Sequence, residues 1–243
     1  MTTTIIPTYT PLNHLTDELQ THGYAVLTPD SVGQLAHCGP TQLDALKPGW
    51  TDLPPDTYLK DSGSYRQRRH SCFIIDQAGV KQTPHRSHWQ PIAYNALHGG
   101  IKRLFEPILP ALIAQPLWSQ LLLAIAHVFS ALKGEQTWYV EAHQFRIDTH
   151  NGIGRPTPEG AHRDGVDFVA ILLVERVRIK GGESRIFEAN ASNGQRFTLI
   201  EPWTLLLLDD ERVIHESTPI QPTAEGGYRD TLVLTYRRDG FQE

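Results

Sequence analysis

Apolar and polar positions change their period once along this chain, close to Gly134. Before that point the clearest pattern is helical: leucines and isoleucines recur at three- and four-residue spacing from Pro110 to Lys133, and Gly134 is placed to stop the run. Shorter segments precede it. Thr16 to Gln20 predicts a short helix and Gly23 to Leu27 a strand. A second helix, capped by Asp30 or Ser31, is expected through Cys38. Lys47 to Gly63, rich in Pro, Gly and Asp, predicts a loop, and Arg69 to Asp76 alternates as a strand does. Gln82 to Gly100 mixes histidines, prolines and aromatics with no clean period.

From Gln136 onward the period is that of strands. Trp138 to Ile147, Asp167 to Val177, Ser184 to Glu188, Phe197 to Ile200, Thr204 to Leu208, Arg212 to Glu216 and Asp230 to Arg237 are the segments it marks. Asn151-Gly152, Gly181-Gly182, Asn193-Gly194 and Gly226-Gly227 punctuate them as turns. Many short strands so spaced predict a mainly β protein with flanking helices and a jelly-roll, cupin-like core. The helices of the first half are expected on the outside of one sheet. No repeat or linker interrupts the pattern, so residues 1–243 read as one domain, helix-rich to about residue 135 and a jelly roll from about 136.

Composition narrows the function class. With 243 residues, 40% of them apolar, the chain can bury a sizeable core. A net charge of −5 and the lack of a basic stripe argue against a nucleic-acid partner. One basic run, Arg66, Arg68, Arg69 and His70, reads as a solvated strand edge or loop. Cys38 and Cys72 match no metal spacing and are expected as reduced thiols. The run from Met1 to Pro7 lacks the marks of a secretory signal, and Leu117 to Leu132 is too short and mixed to span a bilayer. A cytoplasmic protein with a small-molecule substrate, no membrane partner and at most a homodimeric assembly is the expectation.

The candidate chemistry lies in His162-Arg163-Asp164 and, much later, His215. Side chains at i and i+2 of an extended segment share a face, so His162 and Asp164 can reach one ion. A distant histidine completes a two-His, one-carboxylate set, which holds Fe(II) on one face and leaves the other open. Arg229, fourteen residues after His215, would then offer a fixed guanidinium to a dicarboxylate co-substrate. Thr231 shares its strand face, while Arg237 and Arg238 are rival anchors. Gln144 and Arg146 also share one face and would approach the iron or co-substrate if that face lined the barrel. Each residue has a plainer reading: a surface turn for His162-x-Asp164, an ion pair with Asp230 for Arg229. His85, His88, His143 and His150 read as structural or exposed rather than as ligands.

Beyond these residues, the run Glu141 to Arg146, then Pro158 to Phe168, Gly181-Gly182-Glu183-Ser184, Asp209-Asp210, Val213-x-His215 with Thr218-Pro219-Ile220, and Arg229 to Leu232 resemble the bacterial Fe(II)/2-oxoglutarate dioxygenase family that contains L-isoleucine 4-hydroxylase and the biofilm-stress-motility proteins. The resemblance spans roughly residues 65–238 and is strongest from 141. It implies a double-stranded β-helix core, and Fe(II), 2-oxoglutarate and O2 as cofactor and co-substrates. Position by position, it implies His162, Asp164 and His215 as iron ligands and Arg229 as the 2-oxoglutarate anchor; the shared strand faces add Thr231 and Gln144 as candidate co-substrate contacts.

The same resemblance implies hydroxylation of an unactivated C–H bond, with a free aliphatic L-amino acid as substrate. Such a substrate needs a cation, an anion and an apolar pocket. Arg146, Arg163 and Arg155 are the candidate cations, Glu159 and Asp167 the candidate anions, and Gln82 to Trp89 a candidate lid. Two other readings stay open: a non-catalytic or sensor protein of the same fold, and a cupin-like metalloprotein that does not use 2-oxoglutarate.

Overall fold

A computed structural model describes residues 4–59, 64–95, 97, 99–189 and 193–243. Helix α1 (Leu15–His22) leads into strand β1 (Tyr24–Leu27) through Gly23, whose positive φ closes the helix. Helix α2 (Pro29–Leu35) is capped by Thr28, not by Asp30 or Ser31: the Thr28 hydroxyl accepts from the Ser31 N–H, and Pro29 fills the first turn. The helix stops three residues short of Cys38. A 3-10 helix, Pro40–Trp50, takes up the start of the expected Lys47 to Gly63 loop, and residues 60–63 of that loop lie outside the described residues. Strands β2 (Arg66–Asp76) and β3 (Gly79–Gln82) follow.

The long helix predicted from Pro110 to Lys133 is two helices, α3 (Pro110–Ile113) and α4 (Pro116–Lys133). Pro116 disfavours helical backbone at the residue before it, and Gln115 is extended (φ −70°, ψ 128°). The strands then come in the expected order: β4 (Trp138–Asp148), β5 (Phe168–Val177), β6 (Ile179–Gly181), β7 (Ser184–Glu188), β8 (Gly194–Phe197), β9 (Leu205–Asp209), β10 (Val213–Ser217), β11 (Ile220–Pro222) and β12 (Tyr228–Arg237). The eighth ends where the sequence predicted a start at Phe197, because Gly194 enters it directly from the turn. The sixth and eleventh, three residues each, are too short to show a period.

All pairing is antiparallel. A seven-stranded sheet runs in the order β1-β9-β5-β12-β4-β2-β3, and a three-stranded sheet runs β10-β7-β8. The helix-rich first part is therefore not a separate layer, since it supplies three strands of the large sheet. This two-sheet arrangement is the jelly-roll class expected from the strand pattern.

Alternation sorts side chains between two cores. On one face of the large sheet, Leu232, Leu234, Tyr236, Phe168, Ala170 and Leu172 pack against α4 and its neighbours. On the other, Val169, Leu173, Leu206 and Leu208 meet Ile186, Phe197 and Val213 of the small sheet. Each Leu or Phe so buried contributes roughly 1.5–3 kcal/mol. The same inner face carries Arg229, Thr231, Val233 and Thr235 on β12 and His143, Phe145 and Ile147 on β4, and there the space between the sheets opens into a cavity. No helix among the described residues is long and apolar enough to cross a membrane.

Candidate metal centre

His162 and His215 are held together by backbone before side chains are considered. His162 N–H donates to His215 C=O at 3.0 Å and His162 C=O accepts from His215 N–H at 2.9 Å, an isolated antiparallel bridge. Their ring centroids lie 4.6 Å apart. Asp164 is fixed by a different device. The N–H groups of Asp164, Gly165 and Val166 all donate to the buried Asp210 carboxylate, at 3.0, 2.8 and 3.1 Å, and Arg163 Nε donates to the Asp210 carbonyl. Burial and the neighbouring Asp164 charge push the Asp210 carboxyl up to about 7 against those donors.

The result is convergence. One ligand-capable atom from each of His162, Asp164 and His215 lies within 4.8 Å of the others. Asp164 Oδ1 is 3.9 Å from His162 Nε2, and Asp164 Oδ2 is 3.7 Å from His215 Nε2. Gly160 C=O, 2.9 Å from His162 Nδ1, accepts that nitrogen's proton and leaves Nε2 as a donor to a metal. Burial, then His162, keeps His215 neutral. Burial also lowers His162, but Asp164 and Glu159 outweigh it and the net shift is upward. Two imidazoles beside this surplus of carboxylate charge are a donor set that fits a divalent cation.

The opposite charge occupies another part of the cavity. Arg229 is buried on β12, its Nε has no hydrogen-bond partner among the described residues, and it makes no ion pair there. Burial, then Arg176, lowers it to about 10, so it stays cationic at neutral pH. Thr231 lines the same wall. A register shift between Asp230 and Thr231, opposite β5, marks a bulge at this point of the sheet. The cavity, open to solvent at its mouth, holds both Arg229 and the His-Asp-His set in its lining.

Several expected site residues face elsewhere. Gln144 is on the other face of β4, where Nε2 donates to Gly49 C=O at 3.1 Å. Arg146 shares that outer face, forks onto Asp230 at 2.8 and 2.6 Å and lies over the Tyr228 ring. The strand face that Gln144 and Arg146 share is thus not the one lining the barrel, which corrects both assignments. Arg163 is committed to the Asp210 carbonyl, and Asp167 is paired with Arg238 at 2.6 Å, so neither reaches the cavity. Arg155 is also absent from its lining, whereas Glu159 lines it.

Sequence reasoning missed a second set. Arg66, Arg68 and His70 are buried, not a solvated edge, because β2 begins at Arg66 and turns alternate residues inward beside β4. His70 Nε2 and His88 Nδ1 donate to Glu141 Oε2 at 2.9 and 2.5 Å, and His143 stacks on His70. Burial pushes His88 down to about 4 and His143 well below its ordinary range, so these rings are neutral. These four residues also converge within 4.8 Å. Arg68 Nη2, however, is 2.7 Å from His143 Nδ1, and Arg103 also bears on these histidines, so an added cation would meet two guanidinium charges. The segment expected as a lid is tied down here through His88, whose backbone pairs with Arg103. The register His70↔His143 and the i, i+2 spacing of Glu141 and His143 were the available signals.

Comparison with known proteins agrees with this geometry. A family profile described as 2OG-Fe dioxygenase matches residues 47–235. A crystal structure of a bsmA homolog from Methylobium petroleophilum PM1 is 49% identical, covering 98% of this chain and 97% of its own, with a TM-score of 0.92. IDO from Bacillus thuringiensis has the same fold at 18% identity (96% of this chain, 100% of that one, TM-score 0.76). So does the Fe(II)/α-ketoglutarate-dependent dioxygenase TqaL at 19% identity (93% and 86%, TM-score 0.69). No curated protein matches the chain.

Proposed function

The chain belongs to the 2OG-Fe dioxygenase family, and on that premise we propose that it hydroxylates an unactivated C–H bond of a free aliphatic L-amino acid. Family membership implies Fe(II), 2-oxoglutarate and O2. His162, Asp164 and His215 would hold the iron and Arg229 the far carboxylate of 2-oxoglutarate. The observation that carries this reading is Arg229: a buried guanidinium in no ion pair among the described residues, in the cavity that also holds the His-Asp-His set. A buried charge left so is costly unless a ligand compensates it.

Bound iron with 2-oxoglutarate and oxygen would supply the oxidant for a C–H bond, with succinate and CO2 as co-products. The chain's own residues would orient and exclude. Asp210 fixes the Asp164 loop, Gly160 sets the His162 tautomer, and Arg229 with Thr231 would hold one end of the co-substrate. Phe145, Ile171, Leu206 and Val233 give the cavity apolar walls suited to an aliphatic chain, and the site's enclosure favours a small molecule. Glu159 is the anion on hand for an ammonium.

The test is anaerobic Fe(II) loading, then aerobic incubation with 2-oxoglutarate and a panel of L-amino acids, followed by mass spectrometry. One added oxygen together with succinate, lost in His162→Ala, is the expected result. Iron-loaded protein that yields neither would refute the assignment.

A further inference from the structure

The cavity is lined by three more charged groups to which the proposed function gives no iron or 2-oxoglutarate role: Arg103, Arg68 and Glu159. Arg103 is 2% exposed, lines the cavity, makes no ion pair among the described residues, and has an unpartnered Nε. Its Nη2 donates to Gln90 Oε1 at 3.0 Å, and Gln90 Nε2 donates to Asp164 Oδ1 at 3.0 Å. One side-chain amide therefore separates Arg103 from the candidate metal ligand, a reach of no more than about 8 Å. Arg68, in the same wall, also has a buried Nε without a partner, and its guanidinium sits between Phe105 (3.7 Å) and Phe145 (4.5 Å). The third group has the opposite sign. Glu159 Oε2 is buried and unpartnered in this cavity, and Glu159 is among the charges that act on Arg103.

Contacts separate Arg103 from its neighbours. Asp56 is paired with Arg66 at 2.8 Å and Arg68 at 3.6 Å, and Glu141 accepts from two imidazole N–H donors. Asp56, Glu159 and Glu141 act on Arg103 through space, but none of them forms an ion pair with it among the described residues. A cavity with a guanidinium in no ion pair on one wall and an unsatisfied carboxylate oxygen near the metal centre is matched by a ligand carrying both an anion and a cation.

We propose that Arg103, backed by Arg68, receives the α-carboxylate of the substrate and Glu159 its α-ammonium, so that the primary substrate is recognised as an amino-acid zwitterion. This rests on the dioxygenase reading and replaces the cations that the sequence suggested, Arg146, Arg163 and Arg155, with Arg103, between β3 and α3, and Arg68 on β2.

The test is calorimetric binding to the anaerobic protein loaded with Fe(II) and 2-oxoglutarate. The probes are L-leucine, L-isoleucine and L-valine, their methyl esters, and the matching acids lacking the amino group. The free amino acids are expected to bind at least about 100-fold more tightly than either analogue. Arg103→Met is expected to weaken amino-acid binding about 100-fold while 2-oxoglutarate binding changes less than about 3-fold, with Arg103→Lys between. Glu159→Gln should narrow the gap between the amino acid and its deaminated acid. Esters or deaminated acids that bind as well as the amino acids would overturn the clamp alone, loaded protein that binds none of them would overturn the amino-acid substrate with it, and both comparisons need no variant to fold. Protein that fails to take up Fe(II) and 2-oxoglutarate would overturn the underlying reading instead.

Discussion

Asp210 touches no candidate ligand side chain, yet its carboxylate accepts three successive backbone N–H groups and so sets where Asp164 stands. Replacing it by alanine strands those buried donors. Asp210→Ala is expected to cost about 3 kcal/mol in chemical denaturation and to weaken iron binding at least about 10-fold. Gly165 imposes a second constraint on the same loop. Its φ is +74°, and a Cβ there would fall 2.4 Å from the Tyr94 ring, so Gly165→Ala should lower iron content without touching a ligand. Arg229→Lys keeps the charge but loses the planar fork, and the affinity for 2-oxoglutarate should fall about 10- to 100-fold in an equilibrium titration. At this scale the sequence was legible where chemistry repeats at a short spacing, as in His162-x-Asp164 with Asp210 near His215. Arg103 and Gln90 were not legible, because they lie in a stretch with no hydrophobic period and reach the cavity only through tertiary contacts.

Strand β2 shows why a charge run was misread. Arg66, Arg68 and His70 look solvated in sequence, but the loop before the strand brings Asp56 beneath them, with side-chain exposures of 6% for Arg66 and 0% for Asp56. Burial alone would raise the Asp56 carboxyl; Arg68, Arg66 and the Tyr58 N–H outweigh it and hold it below 3.8. A carboxyl depressed in the folded state stabilises above its unfolded value and loses that contribution as pH falls through the folded one. Asp56→Asn should therefore cost about 3 kcal/mol at pH 7, measured by urea denaturation, and the difference from the parent should shrink below about pH 3.8. A gap that stays constant down to pH 2 would show that the carboxylate's charge plays no part. Element types were otherwise well marked. The break at Gln115 could have been read from Pro116, whereas the three-residue strands β6 and β11 carry too few residues for any period to show.

Across the whole molecule, the two sheets enclose an apolar layer at one end and a polar cavity at the other, and strands from both halves of the sequence build the walls. The jelly-roll class was legible from alternation and turns after Gly134. The division at about residue 135 does not separate two layers, because β1 and β2 pair with strands more than sixty residues away and β3 extends the same sheet beside β2. A cavity lined from so many segments should tighten when filled. Saturating Fe(II) and 2-oxoglutarate together, each at about 100 times its dissociation constant, should raise the melting temperature by about 10–20 °C, and His162→Ala should abolish the rise. The most direct test of the central claim is an anaerobic titration of the iron-loaded protein with 2-oxoglutarate, followed by the visible charge-transfer absorption of the chelate. The account predicts a band that saturates at one equivalent, needs much more 2-oxoglutarate in Arg229→Lys, and is lost in His215→Ala. Iron-loaded parent protein that develops no band would contradict it.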